Sequence, residues 1–517
     1  MKTYGRTTIY SKYTEEELLK GSDEEQANKV LTILKNAIPI HDTNKYETEY
    51  LVKYYSGIQD IYTEKEKHTR EEINNKTVEN WAFAFIDFKK AFLLGKEIQY
   101  VSLDGQDNEE IDTLNNYVRF EGKKSKDIDL YEDVLVTGRG FRYIAKDKIT
   151  DDNEVPFEII NCDPALTEVV YSSKMGNEQL FAFVETGMID TITVVDEETG
   201  EEKDEQIEYS EYTVYTRNFR FVFNDKSGDL EYQPEETKVK LIKEHSIIEY
   251  YVHRLRLSLI EIGKDIFNDI NYLESLDKDD MEQFVNAIMI FTNAKIDKNG
   301  LDMIKELGAA CINSTDTKKA SVDLLQQRLN ATDTQVYYNR LLSALHQILG
   351  VPQANHGGGM EIGDTGRAQL TGQGYLSAGI RIQNDETKFG DADLKTLNII
   401  IKLCKETIDS GIKDLKLTAL QPKFQIDMSE NLLVKTQALQ NLYECKIPRT
   451  FANSIINLFP DPNAVTIEQN KLYGEEGQEN IENTNANVNN NFGNTNNKIN
   501  EQNNEMRKTQ ELENQGQ

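Results

Sequence analysis

The sequence predicts an α+β chain of several regions. Three observations predict it: a block of short β runs between Phe157 and Val252, two long helical stripes after it, and an Asn-rich C-terminal stretch. At 517 residues the chain is longer than one compact core usually organises. A hydrophobic share of 38%, a charged share of 28% and a mean hydropathy of -0.61 place it among chains that fold in water. Its longest apolar runs, Trp81 to Ile86 and Asn286 to Phe291, are too short to cross a bilayer, and Met1 to Tyr10 lacks the apolar stretch of a signal peptide. The expected place of synthesis and assembly is the cytoplasm, with no membrane partner.

The first helix is predicted over Asn74 to Leu94, where Val78, Trp81, Ala82, Phe85 and Phe92 recur at helical spacing and Gly95 stands as a cap. Ile98 to Ser102 reads as a strand, and Asp127 to Leu135 as a helix ending before Gly138 and Gly140. The β block follows with FEII, EVVYS, LFAFVET, TITVV, EYTVYTRNFRFVF and SIIEYYV, rich in β-branched and aromatic residues. Within it, the acidic run Asp196 to Glu205 is read as a solvated hairpin tip. From Leu255 the period changes: Leu259, Ile262, Ile266, Ile270 and Leu273 repeat at three and four residues and mark a long helix. A second stripe begins near Thr332 with Tyr338, Leu341, Leu342, Leu345 and Leu349, and Gly350 and Pro352 stop it. A mixed segment carrying NAIMIF separates the two.

Gly350 to Gly366 holds six glycines in seventeen residues, which predicts an adaptable loop. A long helical stretch continues to about Ser410. A small helical module then starts at the cap Asp427, with Glu430 three residues on; Pro448 suits a first turn, and Pro460 and Pro462 are expected to end it. Beyond about Gly474 the chain is Asn, Gln and Glu with few apolar residues, so residues 475–517 are expected to be disordered.

The formal net charge of -31 disfavours static gripping of nucleic acid, which needs Lys and Arg against phosphate; from composition alone, keeping the chain soluble is the favoured account of it. Cys162, Cys311, Cys404 and Cys445 are scattered and expected to be reduced and buried. The histidines His41, His68, His245, His253, His346 and His356 show no ligand spacing, so no metal site is expected. Gly95-Lys96 lacks the upstream glycine of a phosphate-cradling loop, since Lys90 stands there. Gly138-Arg139-Gly140 follows a helix and precedes a strand, the reverse of a dinucleotide fingerprint. Asp279-Asp280 is a chance pair in so acidic a chain. The expectation is a protein without catalytic residues or cofactor.

YLVKYYSGIQDIY, Tyr50 to Tyr62, followed by NNKTVENWAFAFIDFKKAFLLGKEIQY, Asn74 to Tyr100, resembles the opening of the portal proteins of tailed bacteriophages, of the siphophage type found with Gram-positive hosts. GRGFRYIAKD from Gly138, NCDPALTEVVYSS from Asn161, and NLLVKTQALQNLYECKIPRTFANSIINLFPDP are similar to the family's wing and crown. The resemblance implies an N-terminal arm (1–45), a wing (46–253), stem helices (254–277 and 332–349) around a clip (278–331), and a tunnel loop (350–366). A long helix (367–415), a crown (416–474) and the tail complete the layout. It implies a homo-oligomeric ring of about a dozen subunits at one capsid vertex of the virion. Its partners would be double-stranded DNA in the channel, terminase at the clip, the major capsid and scaffold proteins, and head-tail connector proteins. His356, Gly357, Gly358, Gly359, Met360 and Glu361 would then face the DNA.

The apolar stripes, represented by Leu259, Ile262, Ile266, Ile270, Leu273, Leu341 and Leu345, would pack the stem, either inside one subunit or between neighbours. Acidity gains a mechanism in a narrow channel: DNA lies within about 8 Å, a Debye length, of the wall, and negative walls discourage sticking. Two other readings compete. One is an acidic cytoplasmic scaffold or adaptor that binds basic partners through Asp196 to Glu205 and the tail. The other is a metal-dependent nuclease using Asp279 and Asp280.

Overall fold

The computed structural model describes residues 4–66, 71–103, 108–146, 155–195, 202–285, 288–292, 321–325, 331–353, 375–408, 410–425, 432–456, 458–459 and 462–473. The first half runs β1 (Ile9–Ser11), α1 (Glu15–Leu19), α2 (Asp23–Tyr55), α3 (Ile61–Glu64), α4 (Trp81–Leu94), β2 (Gln99–Ser102), α5 (Glu109–Phe120) and α6 (Lys123–Thr137). Strands follow: β3 (Gly140–Lys146), β4 (Phe157–Cys162), β5 (Thr167–Ser172), β6 (Gln179–Val195), β7 (Glu202–Tyr215), β8 (Phe219–Asn224), β9 (Glu231–Tyr232), β10 (Lys238–Val239) and β11 (Ile247–Tyr250). The remainder is α7 (Leu259–Val285), β12 (Ile288–Thr292), β13 (Ser321–Leu325), α8 (Ala331–Leu349), α9 (Tyr375–Glu406), β14 (Leu420–Lys423), α10 (Leu432–Glu444), α11 (Arg449–Ile456) and α12 (Pro462–Tyr473). Helices and strands are segregated rather than alternating, as an α+β chain requires.

The largest sheet has the order β1-β5-β6-β7-β8-β10, with β9 also on β8. Its pairings are antiparallel except β1 with β5, which is parallel with Ile9 opposite Val170. One face alternates Phe181 and Phe183, Tyr212 and Val214, Phe221 and Phe223, the period of two that a half-covered sheet needs. Leu18 of α1 and Val30, Ile33, Leu34 and Ala37 of α2 cover that face. Both helices start in capping boxes, Thr14 with Glu17 and Ser22 with Glu25. Residue 45, where the resemblance puts the boundary between arm and wing, falls inside the single helix α2, and β1 joins the large sheet through β5.

A second core gathers Phe85, Ile86 and Leu94 of α4, Leu130 and Val134 of α6, Tyr250 of β11 and Phe389 and Ile400 of α9. The three-stranded sheet β11-β3-β4 and the pair β14-β2 flank it.

Several elements differ from expectation. Helix α4 begins at Trp81, not Asn74, because the Asn80 side chain caps it by accepting from Phe83 N; the preceding residues are non-helical and bond to α7 instead. Helix α6 outruns its predicted span because the left-handed glycines Gly122 and Gly138 set its ends. Pro462 starts α12 rather than ending a helix, consistent with proline's fit to a first turn. Glu202 to Glu205 belong to β7 rather than to the hairpin tip, while residues 196–201 lie outside the described residues. Cys404 is buried, but Cys162 is half-buried and Cys445 exposed; Cys311 and the tail 475–517 lie outside the described residues.

Candidate functional site

The two helical stripes become α7 and α8, which lie side by side and antiparallel. Gly263 in the first turns of α7 sits against Leu345 near the end of α8; a Cβ at this position would come 3.2 Å from Leu345 Cδ2 and 2.8 Å from the Phe267 ring. A larger residue there would have to push the Phe267 ring and Leu345 aside. Leu259, Ile270, Leu341 and Leu345 are buried in the main core of this one chain, and Ile266 and Leu273 are partly buried against it. Ile262 departs from the stripe: it is 46% exposed and lines the rim of a cavity of about 130 Å³ together with Ile348, His253 and Asp385. The stripes thus bury chiefly within the subunit, and Ile262 stays half open at the edge of the α7–α8 contact.

A second stripe on α7, polar this time, is as regular as the apolar one. Glu261, Lys264, Asn268, Asn271, Ser275 and Asp279 recur every three or four residues and bind the N-terminal half of the chain. At the start of the helix, Ser258 and Glu261 cap each other, and Glu261 Oε1 accepts from Arg6 at 2.6 Å and from Gly5 N at 2.9 Å. Lys264 lies 3.0 Å from Asp60, which also accepts from the hydroxyl of Tyr50 at 2.5 Å. Burial alone would raise the Asp60 carboxyl, but Tyr50 and Lys264 outweigh it and hold the pKa below the usual range. Further along, Asn268 accepts from Tyr54, while Asn271 donates to Gln59 and accepts from Glu79 N. Glu79 in turn accepts from Trp81 and from Tyr338 of α8.

At the far end Asp279 is 1% exposed and pairs with Lys65 at 2.7 Å while accepting from Asn75 N at 2.7 Å. Burial pushes its pKa up, and Lys65 and Asn75 more than reverse that. This buried pairing gives Asp279 a structural role, contrary to the metal-dependent nuclease reading of Asp279-Asp280. The polar stripe also explains why α7 runs to Val285, past the expected stem boundary at residue 277: the apolar repeat stops, but Ser275 and Asp279 still have partners. Residues 278–285, assigned above to a clip, are therefore helix, and β12 pairs with β13 beyond them.

The loop that follows α8 is anchored at both feet. Gly350 takes φ +71, the left-handed end of a helix, and Val351 N donates to His346 O at 3.1 Å. Arg381, in the second turn of α9, donates to the last carbonyls of α8, Gln347 O at 2.6 Å and Ile348 O at 3.2 Å. Further along α9, Asp393 enters a buried ionic cluster. Lys123 Nζ lies 3.0 Å from Asp393 and 2.7 Å from Asp127, Arg142 Nη1 lies 2.6 Å from Asp127, and Tyr100 donates to Asp393 at 2.7 Å. Two cations balance two carboxylates, and α6, α9, β2 and β3 are locked together. The loop residues His356, Gly357, Gly358, Gly359, Met360 and Glu361 lie outside the described residues.

The C-terminal helices form a small module around polar side chains: Asn453 of α11, fully buried, donates to Thr466 of α12 at 2.9 Å and accepts from Tyr443 of α10 at 2.6 Å. Among the described residues no group of three or more His, Cys, Asp or Glu is placed to hold a metal ion, and no helix is long and apolar enough to cross a membrane.

Sequence reasoning missed the polar stripe of α7 and the Arg381 clasp. The first had a signal, a polar repeat in step with the apolar one; the second had none, because it depends on how α9 returns to α8. Comparison with protein families matches residues 34–483 to the family described as phage portal protein, SPP1 Gp6-like. Comparison with curated proteins finds no match.

Proposed function

Since the chain belongs to the phage portal protein family, we propose that it assembles as a ring of about a dozen copies whose central channel carries DNA into and out of the capsid. Members of this family are structural proteins of the capsid vertex that act in DNA packaging. The observation that carries the proposal is the extent of the match, 34–483, whose bounds take in every strand of the large sheet but β1, the paired helices α7 and α8, and helices α10 to α12.

In this reading α7 and α8 are the stem, β12 and β13 belong to the clip where terminase and later the connector proteins dock, and α10 to α12 are the crown. The loop with His356 to Glu361 would project into the channel from feet fixed by Arg381 and the Asp393 cluster. A rigid stem suits a conduit, since the buried polar stripe of α7 resists sliding of one helix past its neighbours. Acidic channel walls would keep contact with the phosphate backbone weak and uniform.

The test is co-expression with the capsid and scaffold proteins of the same phage, followed by packaging. The full chain should enter at one vertex per particle and support DNA uptake. Removal of residues 356–363 should leave ring and capsid intact while DNA uptake falls. Failure of the full chain to co-assemble refutes the proposal, and a deletion that abolishes ring formation refutes the tunnel assignment.

A further inference from the structure

We propose that the outer half of the β6–β7 ribbon is a strand-addition site, where an extended basic segment of another protein pairs along the free edge of β6. The strand register carries this inference. β5 accompanies β6 only as far as Val184, and β8 accompanies β7 only from Glu211. The two central strands continue without them, from Gly187 opposite Ser210 to Val195 opposite Glu202. At about 3.3 Å per residue the ribbon extends roughly 30 Å beyond its neighbours.

Its faces are open where they are described. Thr186, Gly187, Met188, Ile189 and Thr191 are all exposed, and because consecutive strand residues point to opposite faces, neither face is covered there. Ile189 is 67% exposed. Lys226 reaches Asp190 and the ring of Tyr209, at the base of the ribbon. A two-stranded ribbon with bare faces is only marginally stable in water and gains from a third strand.

The two edges differ in a way that selects one of them. From Gly187 to Val195, β6 carries no lysine and no proline, and its single charge, Asp190, is paired. Exposed edges are ordinarily blunted by such residues, and this one is instead β-branched and apolar. The opposite strand, Glu202 to Ser210, carries four acidic residues and one lysine. Among the described residues no strand but β7 lies against β6 beyond Val184, and by composition its edge is the less charged of the two.

The same charge selects the occupant. A second copy of the ribbon would set its acidic strand against this one, and DNA would be repelled as well. An extended segment in which lysine or arginine alternates with apolar residues satisfies both requirements: main-chain bonds along β6 and attraction to the acids of β7.

The experiment uses the full-length protein and a fluorescent peptide of about ten residues in which lysine and valine alternate. Anisotropy should show saturable binding, and hydrogen exchange of the β6 amides from Gly187 to Val195 should slow by about tenfold. A glutamate–valine peptide and an unpatterned oligolysine should protect none of them. Ile189→Lys with Thr191→Lys adds two charges to the exposed edge and should weaken binding by about tenfold at unchanged Tm. Equal binding by this variant, or protection that falls elsewhere, overturns the proposal. Loss of ring assembly in the variant also overturns it, by identifying a second copy as the occupant, and leaves the portal reading intact.

Discussion

Replacing Asp279 with alanine should release the end of α7 from the N-terminal half of the chain. Lys65 and Asp279 are 5% and 1% exposed and lie 2.7 Å apart, so truncation strands an ammonium away from water. Breaking a buried pair in this way costs about 3–5 kcal/mol. Lys65 retains Asn75 O at 2.7 Å and Ser275 O at 3.3 Å, which places the loss near the lower figure, about 3 kcal/mol. A chain with two large cores and a separate helical module will not unfold in one step, so a single global stability is a poor readout. Hydrogen exchange of the α7 amides from Ser275 to Val285 is the better one, and about 3 kcal/mol corresponds to exchange faster by roughly 100-fold. Lys65→Met with Asp279→Leu should restore most of the protection, because removing both charges leaves nothing unpaired. The reasoning fails if the single variant changes exchange less than about threefold, or if the double variant is as labile as the single.

Three further outcomes follow from the same structure. His41 is buried between Glu168 and Glu185; burial lowers its pKa, but the two carboxylates raise it above 6.5, with Lys45, Asn44 and Arg139 completing the surroundings. Its contribution to stability is complete below pH 6.5 and lost as pH rises through the raised value, so His41→Gln should abolish part of the fall in Tm measured between about pH 6 and about pH 9. Gly263→Ala places a methyl group against Phe267 and Leu345 and should destabilise the helix pair by about 1–3 kcal/mol, read by exchange of the Leu341 and Leu345 amides. Arg381→Ala removes the donor to Gln347 O and Ile348 O, and the amides of Gly350 and Val351 should exchange faster while the Asp393 cluster keeps its protection.

Where a residue's environment is set by its own element, the sequence was legible. The short β-branched and aromatic runs between Phe157 and Val252 announce the strands, and the apolar repeats announce α7 and α8. Boundaries were less legible, because they depend on side chains that reach elsewhere: Asn80 shortens α4, and Asp279 lengthens α7 by pairing with a residue 214 positions earlier. Asp393, Arg142 and Lys123 could not be joined from sequence, since three separate segments bring them together. Ile262 shows the limit of periodicity: it sits in step with the stripe, yet the neighbouring helix does not cover it. The segment order that resembles the portal family was legible early because it depends on residues along one chain and not on their meeting in space.

Electron microscopy of the purified full-length protein, with light-scattering mass on the same sample over a range of concentration, tests the central claim most directly. Rings of uniform copy number with an open central channel are the predicted result. Particles that remain without a ring at every salt and concentration, and also in the presence of the capsid and scaffold proteins, would contradict it.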